Sequence, residues 1–128
     1  MRRAILALAA LLALVGAACT SGGRDGGSDG AADCVDLTTE GDTFTIRMEN
    51  NAFVPSCFTA SAAQSIRVVN EDAGLHSFTL EGTPIDVDIA GGQTFEGDPV
   101  TGTVAPGTYQ LICKYHLPGM VGEVTVVG

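Results

Sequence analysis

The sequence predicts an all-β domain, a sandwich or barrel of about eight short strands. Three observations carry that expectation. From residue 43 onward the chain is a series of short runs, alternating or wholly apolar, rich in Val, Ile, Thr and Phe. Gly, Pro, Asn and Asp separate these runs at short intervals, as turns require. No convincing helical period of apolar residues is sustained anywhere in this part of the chain.

The expected strands span 43–49, 57–60, 65–70, 76–80, 86–89, 93–96, 107–113 and 121–127. In the first, Phe44 and Ile46 alternate with Thr43, Thr45 and Arg47, the pattern of a strand with one dry face. Residues 50–56, which include Pro55, are expected to break the pairing of that strand. The strand 76–80 opens at His76, directly after a polar, glycine-containing turn. Phe44, Ile46, Val68, Phe78, Leu80, Phe95, Tyr109, Leu111, Val124 and Val126 form the expected core. A domain of roughly 95 residues can bury about two-thirds of its unfolded surface, enough for a single core.

The start of the chain is of another kind. Met1-Arg2-Arg3 precedes an uncharged apolar run from Ala4 to Ala18. A basic end, an apolar stretch and small residues make a secretory signal, which is expected to be cleaved. The run is shorter than the ~20 residues of a membrane-spanning helix. Gly16-Ala17-Ala18-Cys19 resembles a bacterial lipobox, which makes Cys19 the expected lipidation site and the new N-terminus, the alternative being ordinary signal cleavage and a secreted or periplasmic protein. Gly16 departs from the larger aliphatic residue usual at that place. Residues 20–33 are mostly Gly and small polar residues, too poor in apolar surface to order themselves. As a flexible tether they span on the order of 20 Å. The expected organisation is therefore a signal peptide over 1–18, a lipidated Cys and tether over 19–33, and a folded domain over 34–128.

Charge excludes one class of partner. The whole chain has a formal net charge of −9, from 6 basic and 15 acidic residues. Loss of Arg2 and Arg3 with the signal lowers this to −11, which argues against nucleic acid as a partner. It also disfavours electrostatic attachment to anionic lipid, so any membrane association is expected to run through the lipid anchor alone.

The chemistry concentrates in one stretch. Cys113, His116 and Met120 lie on a loop between two strand-like runs, and the other of the chain's 2 histidines is His76. Their spacing fits neither a helix face nor a strand face, so these side chains converge only where the loop curls around a point. A thiolate with a thioether selects Cu(I), imidazole suits Cu(II) as well, and two His, one Cys and a weak axial Met make the blue-copper donor set. Zinc is the runner-up, but structural zinc sites take four strong donors and seldom a thioether. Taken singly, a buried Cys is usually an inert small hydrophobe and a Met beside a strand is usually filler. Their coincidence with both histidines favours one copper ion. With Cys19 and Cys113 so assigned, Cys34 and Cys57 remain, and in an oxidising compartment they are expected to pair. Such a loop adds roughly 3 kcal/mol through chain entropy.

The pattern Asn70-x5-His76-Ser77-Phe78, followed by Tyr109-x3-Cys113-x2-His116-x3-Met120-x-Gly122, resembles the cupredoxins of the plastocyanin, pseudoazurin and amicyanin group. The likeness covers residues 43–127. It implies a Greek-key β-sandwich with His76, Cys113 and His116 as equatorial copper ligands and Met120 as the axial one, the backbone carbonyl of Leu75 being the alternative axial donor. By the same likeness the N–H of Ser77 points at the thiolate, a bond that Pro118 cannot supply because it lacks an N–H. His116 would be the electron port, ringed by Ala73, Gly74, Leu75, Leu117, Pro118 and Gly119, against which a redox protein docks.

A monomeric blue-copper electron carrier, lipid-anchored on the outer face of a bacterial cytoplasmic membrane, fits the single compact donor set. Copper storage or delivery usually exposes several exchangeable Met or Cys donors. A copper enzyme with a second centre, or a histidine-brace oxygenase, needs more or differently placed histidines than the 2 present. The expected protein is therefore not an enzyme.

Overall fold

In the computed structural model, which describes residues 33–97 and 103–128, the alternating runs form strands. Among the described residues these are β1 (Val35–Asp36), β2 (Thr43–Glu49), β3 (Ala52–Val54), β4 (Cys57–Ser61), β5 (Ser65–Asn70), β6 (His76–Leu80), β7 (Asp86–Ile89), β8 (Thr94–Gly97), β9 (Gly107–Ile112) and β10 (Val121–Val127). They form a six-stranded sheet, β1-β4-β10-β9-β6-β7, and a four-stranded sheet, β3-β2-β5-β8. The architecture is all-β, a Greek-key sandwich. Parallel pairings of β1 with β4, β4 with β10 and β2 with β5 show the chain crossing between sheets rather than folding as simple hairpins. Among the described residues no helix is long and apolar enough to cross a membrane.

Alternation decides which face is dry. In β2, Phe44, Ile46 and Met48 are buried while Thr43, Thr45 and Arg47 face water. β4 buries Phe58 and Ala60, and β10 buries Val124 and Val126, with the same period of two. Aromatic pairs join the sheets. Phe44 of β2 meets Phe58 of β4 at a centroid distance of 5.7 Å, and Phe53 of β3 meets Phe78 of β6 edge-on at 5.9 Å. Each ring buried this way contributes about 1.5–3 kcal/mol from burial alone.

The segment 50–56 departs from expectation. It does not end the pairing of the first strand but folds back on it, because β3 runs antiparallel to β2 with Glu49 opposite Ala52. Asn50 and Asn51 make the two-residue turn at φ 54° and 55°. Both angles are left-handed, as a type I′ hairpin turn demands, and Asn tolerates that region through its short polar side chain. Pro55 stands just beyond β3, where its missing N–H costs no ladder bond.

Two further differences concern the edges. β1 pairs with β4 beside the Cys34–Cys57 disulfide, with Val35 opposite Phe58. Phe95 and Tyr109 pack against the core but stay half-buried. The Tyr109 hydroxyl donates to the carbonyl of Ala105 at 2.7 Å, and this polar tip keeps the ring at the rim.

Candidate metal centre

The site exists because one strand ladder stops early. β6 pairs with β9 only through Thr79 with Ile112 and Leu80 with Leu111. Continuing that register would set Ser77 opposite Lys114. Instead side chains take over the pairing: the Ser77 N–H donates to Cys113 Sγ at 3.3 Å, and the Lys114 N–H donates to Ser77 Oγ at 2.9 Å. The backbone groups at this end of β6 stay satisfied while the two strands part. The gap between them receives the loop from Cys113 to Met120.

That loop is held by its own backbone. The Cys113 N–H donates to the Met120 carbonyl at 3.0 Å, extending the β9–β10 hairpin by one pair. Inside it, the His116 N–H donates to the Cys113 carbonyl at 3.2 Å, and the N–H groups of Gly119 and Met120 both donate to the His116 carbonyl at 2.9 Å. These turns curl the chain so that Cys113, His116 and Met120 return to one place. Cys113 and Met120 are fully buried, and His116 is partly open to solvent.

His76, the first residue of β6, is fully buried opposite the loop. Its Nδ1 lies 3.1 Å from His116 Nδ1 and 3.7 Å from Cys113 Sγ, and Cys113 Sγ lies 3.4 Å from His116 Nδ1. The three donor atoms form a compact triangle with edges from 3.1 to 3.7 Å. A metal at its centre, with bonds of about 2.0–2.3 Å to nitrogen and sulfur, requires donor separations of about 3.5–3.8 Å. The 3.7 Å edge falls within that range and the 3.1 and 3.4 Å edges are somewhat shorter, so His76, Cys113 and His116 fit a single ion with little movement. Two imidazoles and one thiolate, with a buried thioether residue adjacent in the loop, have the chemistry of a copper site.

A polar frame surrounds the donors. The buried amide of Asn70 donates from Nδ2 to the carbonyls of Gly74 at 2.8 Å and Ile89 at 2.9 Å, and its Oδ1 accepts the Asp72 N–H at 3.0 Å. Asp72 Oδ2 lies 2.8 Å from His76 Nε2. The backbone N–H of Asn51, and then the His76 ring, hold the Asp72 carboxyl below the usual carboxylate range. On the other side, Ser77 Oγ meets Thr79 Oγ1 at 2.9 Å, which donates to Asp86 Oδ1 at 2.9 Å. Lys114 Nζ bridges Asp86 at 2.7 Å and Asp88 at 3.3 Å, and Tyr115 donates its hydroxyl to Asp88 at 2.7 Å. The Asp86 carboxylate raises the pKa of Lys114, and the bond to the Asp88 carboxylate raises that of Tyr115.

A family model described as a cupredoxin-like domain matches residues 4–126. The chain belongs to the cupredoxin-like family. Solved structures share the fold. The purple cupredoxin from Nitrosopumilus maritimus is similar at 19% identity and TM-score 0.54, over 65% of this chain and 98% of that one. A Cu(I) form of an amicyanin mutant matches at 15% identity and TM-score 0.54, over 67% of this chain and 83% of that one. The copper-containing nitrite reductase from Thermus scotoductus SA-01 matches at 22% identity and TM-score 0.54, over 67% of this chain. This cupredoxin-like chain spans only 22% of that enzyme's length.

In this cupredoxin the sequence-derived residues fall as follows. His76, Cys113 and His116 stand together, and Met120 is buried in the same loop. Ser77 touches the sulfur through its N–H. Leu75 and Leu117 are exposed at 44% and 55%, with Pro118, Gly119, Ala73 and Gly74 also at the surface. Cys34 and Cys57 are joined as a disulfide far along the chain from Cys113. Cys19, the signal and nearly all of the tether lie outside the described residues. Asn70 and Asp72 were not assigned roles from sequence. The Asp-x3-His spacing was the one available signal for the second.

Proposed function

We propose that this cupredoxin is a blue-copper electron carrier, with His76, Cys113 and His116 as strong ligands and Met120 as the weak axial one. The triangle of two Nδ1 atoms and one Sγ, with the Ser77 N–H aimed at the sulfur, carries the proposal. Copper bound there would cycle between Cu(I) and Cu(II), accepting and releasing one electron. The chain's own contribution is to keep the donors still. Cys113 is fixed by its N–H bond to Met120, His76 by the strand it begins, and His116 by two turns of its loop. The Ser77 N–H stabilises negative charge on the thiolate and so tunes its electron donation.

Access follows from burial. His76, Cys113 and Met120 are fully buried, which leaves the partly exposed His116 as the ligand residue open to solvent. The exposed Leu75, Leu117 and Pro118 supply a small apolar collar around this end, suited to brief docking of a redox protein. We read the chain as a carrier rather than an enzyme, because both histidines are used by one centre. The signal-like start and the lipobox-like Cys19 support a location at the outer face of a bacterial cytoplasmic membrane. Copper storage or delivery is the alternative, and the burial of the donors favours it less.

The test is the oxidised spectrum of the full chain with Cu(II). An intense thiolate-to-Cu(II) band in the visible, lost on reduction and absent in Cys113→Ser, is the expected result. A colourless Cu(II)-loaded protein would rule the carrier out. The same preparation should sediment with membranes, and Cys19→Ser should release it.

A further inference from the structure

Asp72 ties the two sheets together at the donor end. Its Oδ1 accepts the Asn50 N–H at 2.8 Å and its Oδ2 accepts the Asn51 N–H at 3.0 Å, so both amides of the β2–β3 turn point into one carboxylate. Oδ2 also faces His76 Nε2 at 2.8 Å. The Asp72 N–H is itself bound by Asn70, and its carbonyl accepts the Gly92 N–H at 3.1 Å. Two amides thus hold the carboxylate and two further bonds hold the backbone that carries it, before it meets the imidazole.

An ionised carboxylate can only accept, so the contact requires that Nε2 of His76 carry the proton. In a neutral imidazole with its proton on Nε2, the lone pair sits on Nδ1, the atom that faces His116 and Cys113. The His76 side chain is 1% exposed and that of Asp72 23%, so the charge lies at the border of a dry region, where solvent screens it incompletely. Partners of this kind fix the tautomer and orientation of metal-bound histidines and raise their basicity.

We propose that Asp72 is the positioning residue of this centre: it selects the Nε2–H tautomer of His76, aims Nδ1 at the metal position, and lowers the reduction potential by favouring Cu(II). The part that concerns potential rests on the copper reading above. The part that concerns the tautomer does not. The negative charge behind the ligand stabilises the more positive ion, so its removal should weaken Cu(II) binding more than Cu(I) binding. A carboxylate that only stapled the β2–β3 turn would change stability and leave that ratio alone.

Two measurements decide. In metal-free full-length protein, the ring 15N shifts of His76 should show the proton on Nε2. This needs no variant, and a predominant Nδ1–H form would overturn the proposal. In Asp72→Asn, which keeps the size and one acceptor oxygen, the ratio of Cu(II) to Cu(I) affinity should fall ten- to a hundredfold. Tenfold corresponds to a rise of about 59 mV in a one-electron potential. An unchanged potential in a copper-loaded Asp72→Asn would overturn the proposal and leave the carrier reading intact. Correct tautomer in a chain that takes up no copper would instead sink the carrier reading and the potential arm, with the tautomer role standing.

Discussion

Gly91→Ala tests whether the loop before His76 is as closely packed as its geometry requires. A Cβ at Gly91 would stand 2.9 Å from Ala73 Cα and nearer still to the Ala73 carbonyl. Carbon atoms pack at about 3.5–4.0 Å, so the Ala73 backbone must withdraw by about 0.6 Å at Cα and by more at the carbonyl. It cannot do so freely. Asp72, the preceding residue, accepts the Gly92 N–H through its carbonyl, and Gly74, the following one, is held by Asn70. Overpacking of this kind costs about 1–3 kcal/mol, and loss of the Gly92 bond adds about 1 kcal/mol. Gly74 provides the control, because a Cβ there meets nothing within 4 Å. Gly74→Ala should be neutral or stabilising by about 0.4–1 kcal/mol through the unfolded chain. Urea denaturation of both metal-free variants, read as a shift of midpoint at constant slope, measures the difference. The Cu(II) band gives a second readout, since moving Ala73 displaces the segment that delivers His76. Equal midpoints for Gly91→Ala and Gly74→Ala would refute the close approach of the two loops.

Met120→Leu should keep copper and colour and raise the reduction potential, while Met120→Gln should lower it, because a thioether stabilises Cu(II) more than no donor and less than an amide oxygen. The Leu exchange nearly conserves volume at a residue 1% exposed, so metal-free stability should change by less than about 1.5 kcal/mol; spectrum and potential both unchanged would make Met120 a packing residue. The metal-free fold should lose stability on acidification below about pH 4. Asp36, Asp72 and Asp86 are all depressed below their ordinary 3.8 by hydrogen bonds of the folded state, so their contribution is complete above that value and is lost as pH falls through the folded pKa. Lys114 and Tyr115 are raised, so their contribution holds below about pH 10 and is lost as pH rises further. A flat midpoint between pH 5 and pH 2 in urea titrations would contradict the acid limb.

The strands with a two-residue period were legible because burial of one face writes itself into alternation. β2 and β5 match the sequence expectation residue for residue, and β9 ends one residue earlier, where Cys113 leaves the ladder for the site. β1 has two exposed residues and hence no alternation to read; its place comes from pairing with β4. β3 was hidden by composition. Asn-Asn and a proline read as a break, whereas here the asparagines are the turn and Pro55 the stop. The donor residues stood out through scarcity, since both histidines and a loop methionine gather around one cysteine. Asp72 did not, because three of the groups it engages are backbone N–H groups, and an amide belongs to every residue but proline.

The same pattern explains how a site built on two loops can be rigid. Cys113 is held by Ser77 and Met120, all within the six-stranded sheet and its loop. His76 belongs to that sheet too, but its ring is bound through Asp72 to the turn between β2 and β3, which belongs to the other. Sliding of one sheet over the other would therefore pull the imidazole away from the sulfur. What opposes sliding lies next to both anchors: Phe53 follows the asparagine turn by two residues, Phe78 follows His76 by two, and their rings pack edge-on at 5.9 Å. A close-packed core has little freedom to shear, so this aromatic contact opposes the motion that would part His76 from Cys113. In the proposed carrier, small ligand movement on electron transfer would then depend on the core as well as on the ligands, because the Phe53–Phe78 contact opposes the shear that would part the donors.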